Sequence, residues 1–215
     1  MFAAVAPRYD LVNDLASLGL DRRWRLDVRD ALDAQPGEII LDLAAGTGAS
    51  SVPLAERGVT VVATDFSPTM VALGHQRHRD LTFVVGDALR LPYADAVFDA
   101  ATISYGLRNV ADVRTALSEL RRVVRPGGTL VICESSTPPR PPMRALYRLW
   151  LRRGIPLISR LISSDAPAYT YLCDSILAWP DQRSLAELLE QAGWRAIQWR
   201  NLAGGVVALH RATRP

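Results

Sequence analysis

The chain has 215 residues, 49% of them hydrophobic, and a formal net charge of +3. That is enough apolar content for one folded domain with a sizeable core; it excludes a disordered chain, and the charge is too small to argue for nucleic acid. All 25 basic residues are arginine, which excludes Schiff-base chemistry and a lysine general base; codon bias is the simplest cause.

Residues 1–34 carry Phe2, Val5, Leu11, Leu15 and Leu18 with polar residues between them, a pattern for amphipathic helices that would form an N-terminal cap. Ile39–Leu43 is an apolar run that reads as a strand and breaks into a glycine turn, with a helix expected over 49–56. A second strand is expected over 59–64, then a helix opening at Ser67-Pro68, a good N-cap and first-turn pair. Thr82–Val85 and 97–103 read as strands three and four. A helix over 112–124 is expected to end at Arg125-Pro-Gly-Gly128 before a fifth strand over 129–133. Residues 136–180 interrupt the alternation, open with Pro138-Pro-Arg-Pro-Pro142 and continue as a basic helical run, a candidate lid. A helix over 184–192 closed by Gly193 precedes two strands, 194–201 and 206–211, joined through Gly204-Gly205 as a hairpin. Strands alternating with helices mean βαβ units and a parallel sheet. The antiparallel finish makes it an α/β, Rossmann-like, seven-stranded and mostly parallel sheet, within a single domain over residues 1–215.

Cys133 and Cys173 do not make a disulfide framework in a chain this long, and are expected as buried thiols. No apolar run approaches the roughly 18 residues of a membrane span. The first residues lack the order of a signal peptide, so a cytoplasmic protein is expected.

The chemistry concentrates where strands end. In Leu41-Asp-Leu-Ala-Ala-Gly46-Thr-Gly48 the turn glycines let backbone N–H groups approach a ligand. Asp65 ends the second strand 19 positions after Gly46, near the spacing of an acid that accepts from ribose hydroxyls. Asp42 is out of place at a pyrophosphate site, because a carboxylate repels phosphate. It suits S-adenosylmethionine (SAM), which carries a sulfonium and an ammonium and no phosphate. Ser51 stands where a dinucleotide fingerprint has its third glycine, which argues against a NAD-dependent oxidoreductase. Gly86-Asp87-Ala88 follows the third strand, where Asp87 can accept the adenine amino hydrogens and Ala88 N–H can donate to a ring nitrogen. The fourth strand runs out through Ser104, Tyr105, Arg108 and Asn109, in the place where open α/β sheets meet ligand and substrate. His75 and His78 read as surface residues and no metal cluster is visible. His210 closes the last strand. Residues 140–160 hold six arginines, no acid and large apolar residues between them, a composition equally suited to an anionic membrane surface and to an ordinary lid helix.

On these motifs the chain resembles the ubiquinone/menaquinone C-methyltransferase family, nearly end to end. The resemblance rests on Phe2 with Val5-Ala-Pro-Arg-Tyr-Asp10, Leu43-Ala-Ala-Gly-Thr47, Gly86-Asp-Ala88, Ile103-Ser-Tyr-Gly-Leu-Arg-Asn109 and Arg125-Pro-Gly-Gly128. It continues through Tyr169-Thr-Tyr-Leu172, Trp179-Pro-Asp-Gln182 and Asn201-Leu-Ala-Gly-Gly-Val-Val-Ala-Leu-His210. It departs at Asp174, where a glutamate is common, and in the segment Ser163-Ser-Asp-Ala-Pro-Ala-Tyr169, which leaves the exact substrate open. The family pattern implies that Thr47, Asp65, Asp87, Ala88 and Ser104 contact SAM, a set joined by Asp42, Gly46, Gly48 and Phe66. It also implies that Tyr9, Arg108 and Asn109 lie near the reacting carbon, with His210 a second-choice base.

What the resemblance implies is SAM-dependent C-methylation of a prenylated quinol, with a transient contact at the inner face of the membrane and no nucleic acid. A second copy of the chain is an admissible partner. Benzoquinone and naphthoquinone heads both stay open, as do another phenolic metabolite and a non-catalytic SAM-binding scaffold.

Overall fold

A computed structural model describes residues 19–155 and 166–215, the side chains of 166–169 excepted. Tyr9 and the basic run beyond Ile155, Arg160 included, lie outside the described residues.

The described chain opens with helix α1 (Leu20–Leu32), whose buried stripe is Asp21, Trp24, Val28 and Leu32. Three of these are apolar at helical spacing; the aspartate at the head of the stripe is not, and its position matters below. Strand β1 (Ile39–Leu43) follows, then a short helix α2 (Ser51–Ala55), β2 (Thr60–Asp65), α3 (Pro68–Arg77), β3 (Thr82–Val85) and β4 (Phe98–Ser104). After a single 3-10 turn (Leu107–Asn109) come α4 (Val113–Val123) and the long β5 (Val124–Ser135). Helix α5 (Pro141–Leu149) continues into a wide turn (Trp150–Gly154). Then follow α6 (Ala166–Ala178), α7 (Gln182–Gln191), β6 (Arg195–Leu202) and β7 (Val207–Thr213).

The helices start where their caps dictate. Ser67 Oγ accepts from Met70 N–H at 3.4 Å and Pro68 opens α3; Asp112 and Asp181 accept from Thr115 and Ser184 N–H at 3.1 and 2.9 Å at the heads of α4 and α7. One boundary differs from expectation. Arg125-Pro-Gly-Gly128 does not separate helix from strand but belongs to β5, which starts directly at Val124. The register beside β4 shifts there, between Phe98 and Ala100, and Gly127 at φ 79° takes up the irregularity. A Cβ at Gly128 would meet the Asp99 carbonyl at 2.5 Å, so a glycine is needed for the two strands to approach.

The seven strands lie in the order β3-β2-β1-β4-β5-β7-β6. The first five are parallel; β7 pairs antiparallel with both β5 and β6. Alternate residues of β1, β4 and β5 face opposite cores. Leu41, Leu43, Ile103 and Ile132 meet α4 and α7, while Ile40, Ala100 and Val131 meet Trp24, Val28 and Leu32 of α1. Trp194 is fully buried and its Nε1–H donates to Leu117 O at 3.1 Å, tying α4 to the turn before β6.

The segment between β5 and α7 leaves and re-enters the sheet at one neck. Gln182 Nε2 donates to Thr137 O at 3.1 Å and to Asn201 Oδ1 at 2.8 Å, and Gln182 O faces His210 Nε2 at 2.9 Å. Gly205 lies against this neck at φ 96°, where a Cβ would meet Pro139 Cδ at 2.6 Å. The Trp-Pro-Asp-Gln and Gly-Gly-x-x-Ala-Leu-His segments are therefore one clasp in space.

Candidate active site

Chain direction reverses between β1 and β4: the connections from β1 proceed toward β3, and those from β4 toward β5. The crevice beyond the carboxyl ends of such a pair is where open α/β sheets bind ligands. A cavity of about 580 Å³ lies there, within the size range of small-molecule sites. Its walls come from the turns after β1, β2, β3 and β4, from the head of α1, and from α5, its following turn and α6.

The two central turns touch. Ala44 sits at φ 55° at the end of β1, and a Cβ on Gly106 would meet Ala44 Cβ at 2.3 Å. Only glycine at 106 lets the outgoing turn of β4 close on the turn of β1. Tyr105, just before it, is held at φ 56°, a region that bulky residues avoid. Its neighbours over-determine that conformation. Tyr105 N–H donates to Cys133 O at 2.8 Å, Tyr105 O accepts from Arg108 Nη1 at 2.6 Å and from Asn109 Nδ2 at 3.4 Å, and its ring packs against Trp24.

Around the first turn, Asp65 Oδ2 accepts from Gly46 N–H at 2.8 Å and Oδ1 from Ser67 N–H at 2.9 Å, which ties the ends of β1 and β2 together and fixes the carboxylate on the cavity wall. Thr47 is buried and lines the cavity. Phe66, beside Asp65, is 73% exposed on the rim, a large apolar ring turned outward. Asp87 is exposed and accepts from Leu89 N–H at 2.9 Å, so its turn is preformed with Ala88 on the wall. Ser104 lines the cavity with its Oγ buried and without a hydrogen-bond partner.

Three sequence candidates stand off the wall. Asp42 is buried behind the turn, accepts from Ser51 Oγ at 2.6 Å, and is pushed up to about 7, first by burial and then by the charge of Asp65. Gly48 packs the turn onto β3: a Cβ there would meet Phe83 Cζ at 2.7 Å. His210 is buried in the clasp, its Nε2 on Gln182 O and its ring stacked on Trp199, and burial pushes its pKa down.

The other side is built on an ion pair. Arg108 Nη1 bonds Glu134 Oε1 at 2.7 Å, with the two side chains 8% and 1% exposed. Glu134 also accepts from the N–H groups of Arg108 and Ser135. Arg108 is thus locked at the cavity edge rather than swinging. Asn109 Oδ1 accepts from Tyr171 OH on α6 at 3.2 Å, joining the β4 turn to the inserted helices.

Several wall residues were not singled out from the sequence. Asp21, Trp24 and Arg25 come from α1, and Ile176 from the insertion. A signal existed for two acids: Asp21 heads an otherwise apolar helical stripe, and Glu134 interrupts the apolar run of β5.

The model of the ubiE/COQ5 methyltransferase family matches residues 1–214. The chain belongs to that family. It is 57% identical over 214 residues to the demethylmenaquinone methyltransferase of Beutenbergia cavernae, covering 100% of this chain and 89% of that protein. It is 54% identical over 215 residues to the enzyme of the same name from Mycobacterium marinum, at 100% and 92% coverage. Among solved structures, a SAM-dependent methyltransferase from Aquifex aeolicus superposes with a TM-score of 0.65 at 16% identity, covering 89% of each chain. The [4+2]-cyclase SpnF superposes with a TM-score of 0.69 at 19% identity, covering 90% of this chain and 81% of that one. These neighbours carry the fold. Membership in the family makes the chain a SAM-dependent methyltransferase.

The cavity fits that cofactor. Asp21, Asp65 and Asp87 outnumber Arg25 and Arg108 on its wall, which favours a ligand of net positive charge. The unpartnered Ser104 Oγ is a buried polar atom that a ligand donor can satisfy.

Proposed function

We propose that this methyltransferase methylates a ring carbon of demethylmenaquinol, the reduced form of the substrate its relatives are named for. The observation that carries this reading is the two-part character of this cavity: strand-end turns carrying acids and hydroxyls on one side, and the apolar faces of Tyr147, Leu151, Ile155 and Ile176 on the other, with Arg108 and Asn109 between. A polar cofactor beside an apolar chamber suits a prenylated aromatic acceptor.

S-adenosylmethionine, when bound, supplies a methyl group on a positively charged sulfur. In this reading Asp65 takes the ribose hydroxyls, Asp87 and Ala88 the adenine edge, Phe66 the adenine face, and Ser104 a donor of the methionyl part. The turn of Gly46 and Thr47 brings backbone close to the ligand, while Gly48 and Asp42 support it from behind.

The acceptor needs electron density on carbon. A quinol hydroxyl that loses its proton pushes density onto the neighbouring ring carbon; that carbon would take the methyl as its bond to sulfur breaks and a neutral thioether leaves, and loss of the ring proton to water would restore aromaticity. Arg108 and Asn109 face that hydroxyl and lower the cost of the phenolate by charge and hydrogen bonding. A guanidinium stays protonated, so the hydroxyl proton leaves to water held at Asn109 rather than to Arg108. Holding carbon, methyl and sulfur in line can supply roughly 7–11 kcal/mol. Tyr9 belongs to the acceptor side of this reading on the family pattern, and His210 serves the clasp.

Residues 136–180 act as the lid and the route for the tail. Met143, Leu146, Leu149 and Trp150 are exposed on α5 and its turn, interleaved with Arg148, Arg152 and Arg153, a face suited to an anionic lipid surface at the cytoplasmic membrane. Among the described residues no helix is long and apolar enough to cross a membrane. Binding to anionic vesicles that weakens with salt is the expected result; salt-independent association, or none, removes the electrostatic role.

The deciding test is turnover with SAM and reduced demethylmenaquinol, beside a benzoquinol analogue, with product mass read directly. A gain of one methyl on the naphthoquinol supports the reading. SAM binding with neither ring methylated overturns it and turns attention to another phenol or a non-catalytic role.

A further inference from the structure

The residues assigned to SAM so far are acids, hydroxyls, an aromatic ring and backbone groups, yet the ligand also carries an amino-acid carboxylate. A cation beside that anion binds it by a charge-assisted hydrogen bond. Among the described residues on the cavity wall only Arg25 and Arg108 are cationic. Arg108 is held by the buried Glu134 and by Tyr105 O. Arg25 stands on α1, with its side chain 23% exposed.

Its placement is built. Asp21 Oδ2 accepts from Arg25 Nη2 at 2.6 Å one helical turn away, and the Asp21 side chain is itself 7% exposed. Trp24, between them, is buried on the sheet and packs near Tyr105. Arg25 lines the same cavity as Leu43, Ala44 and Ala45 at the end of β1. If adenine and ribose meet β3 and β2, the methionyl chain extends over β1 and β4, toward this arginine. Asp42 and Ser104 lie on the same sheet face as α1, since they alternate with Leu43 and Ile103 of the other core.

We propose that Arg25, oriented by Asp21, binds the α-carboxylate of S-adenosylmethionine. The assignment rests on the reading of the cavity as the SAM site and adds its missing anion contact. A charge-assisted contact to a part-buried guanidinium carries substantial affinity, and Asp21 keeps that fork from leaving with the helix surface.

The test is calorimetric binding of SAM, and of decarboxylated SAM, which keeps the sulfonium and the ammonium and lacks the carboxylate. The whole protein is expected to prefer SAM by at least about tenfold. Arg25→Met should abolish that preference by weakening SAM alone, Arg25→Lys should restore part of it, and Asp21→Asn should reduce it. A variant that binds both ligands as the parent does, or that weakens both equally, overturns the assignment. If Arg25→Met does not fold, the ratio in Arg25→Lys decides: an unchanged ratio overturns it. A parent protein that binds neither ligand overturns the cofactor reading of the cavity itself, whereas one that binds both equally overturns only the role of Arg25.

Discussion

At the scale of single residues, the Arg108–Glu134 pair is the point of greatest consequence. Both side chains are removed from water, so each depends on the other: deleting one partner of such a pair costs about 3–5 kcal/mol through the charge left behind. Glu134→Ala is therefore expected to unfold at markedly lower denaturant. Glu134→Gln keeps the shape and an acceptor oxygen; turnover should fall while SAM affinity holds, because Arg108 loses its orientation rather than the cofactor losing a ligand. Arg108→Met should lower kcat by about 10²-fold, the loss typical of removing one preorganised electrostatic donor, with SAM affinity within a few fold. Retained turnover in that variant removes Arg108 from the mechanism. Ser104 offers the opposite signature. Its hydroxyl is buried without a partner, so Ser104→Ala is expected to leave thermal stability unchanged or raised while SAM binding weakens; parallel melting and titration read both.

Between elements, function depends on how closely two turns approach. Gly106→Ala would drive a methyl into Ala44, and since neither turn can retreat without moving β1 or β4, a cost of about 1–3 kcal/mol and poor SAM binding are expected. Ala44→Gly, compatible with φ 55°, should rescue the double variant; failure of rescue would place the defect elsewhere. The strands were legible in the sequence because apolar runs ended in turn residues: β1 and β3 were expected with the bounds they have, and β2 and β4 within a residue. The start of β5 was not, because Pro126-Gly-Gly128 carries a helix-breaking composition while its backbone still pairs with its neighbours. The strand-end candidates Asp65, Asp87, Ser104 and Arg108 gather on one cavity, since the topology sends every parallel strand end to the same edge. What α1 contributes was illegible for a physical reason. A helix residue acquires a site only through the packing angle of its helix, which depends on Trp24, Val28 and Leu32 finding the sheet.

For the molecule as a whole, the buried Asp42 leaves a signature in stability against pH. Its carboxyl is held at about 7 in the fold against an ordinary 3.8, so between those values the unfolded chain gives up its proton and the fold keeps it. Stability from this group is complete below pH 3.8 and is lost as pH rises toward 7, by up to about 4 kcal/mol. His210 acts with the opposite sign: burial lowers its pKa, so its contribution is present above 6.5 and fades on acidification below that. Urea unfolding from pH 4.5 to 7.5 is expected to show the difference between the parent and Asp42→Asn shift steadily toward the variant as pH rises; a constant difference would mean Asp42 is ionised throughout. The neck at Gln182 carries a different consequence. Because the segment between β5 and α7 departs and returns across a hydrogen bond from Gln182 to Thr137, its length and sequence are decoupled from the register of the sheet. It is a cassette. Exchange of residues 138–181 between relatives should transplant acceptor preference while leaving the cofactor half of the enzyme as it stands, so that this fold can acquire a new substrate by recombination at two adjacent points rather than by remodelling its core.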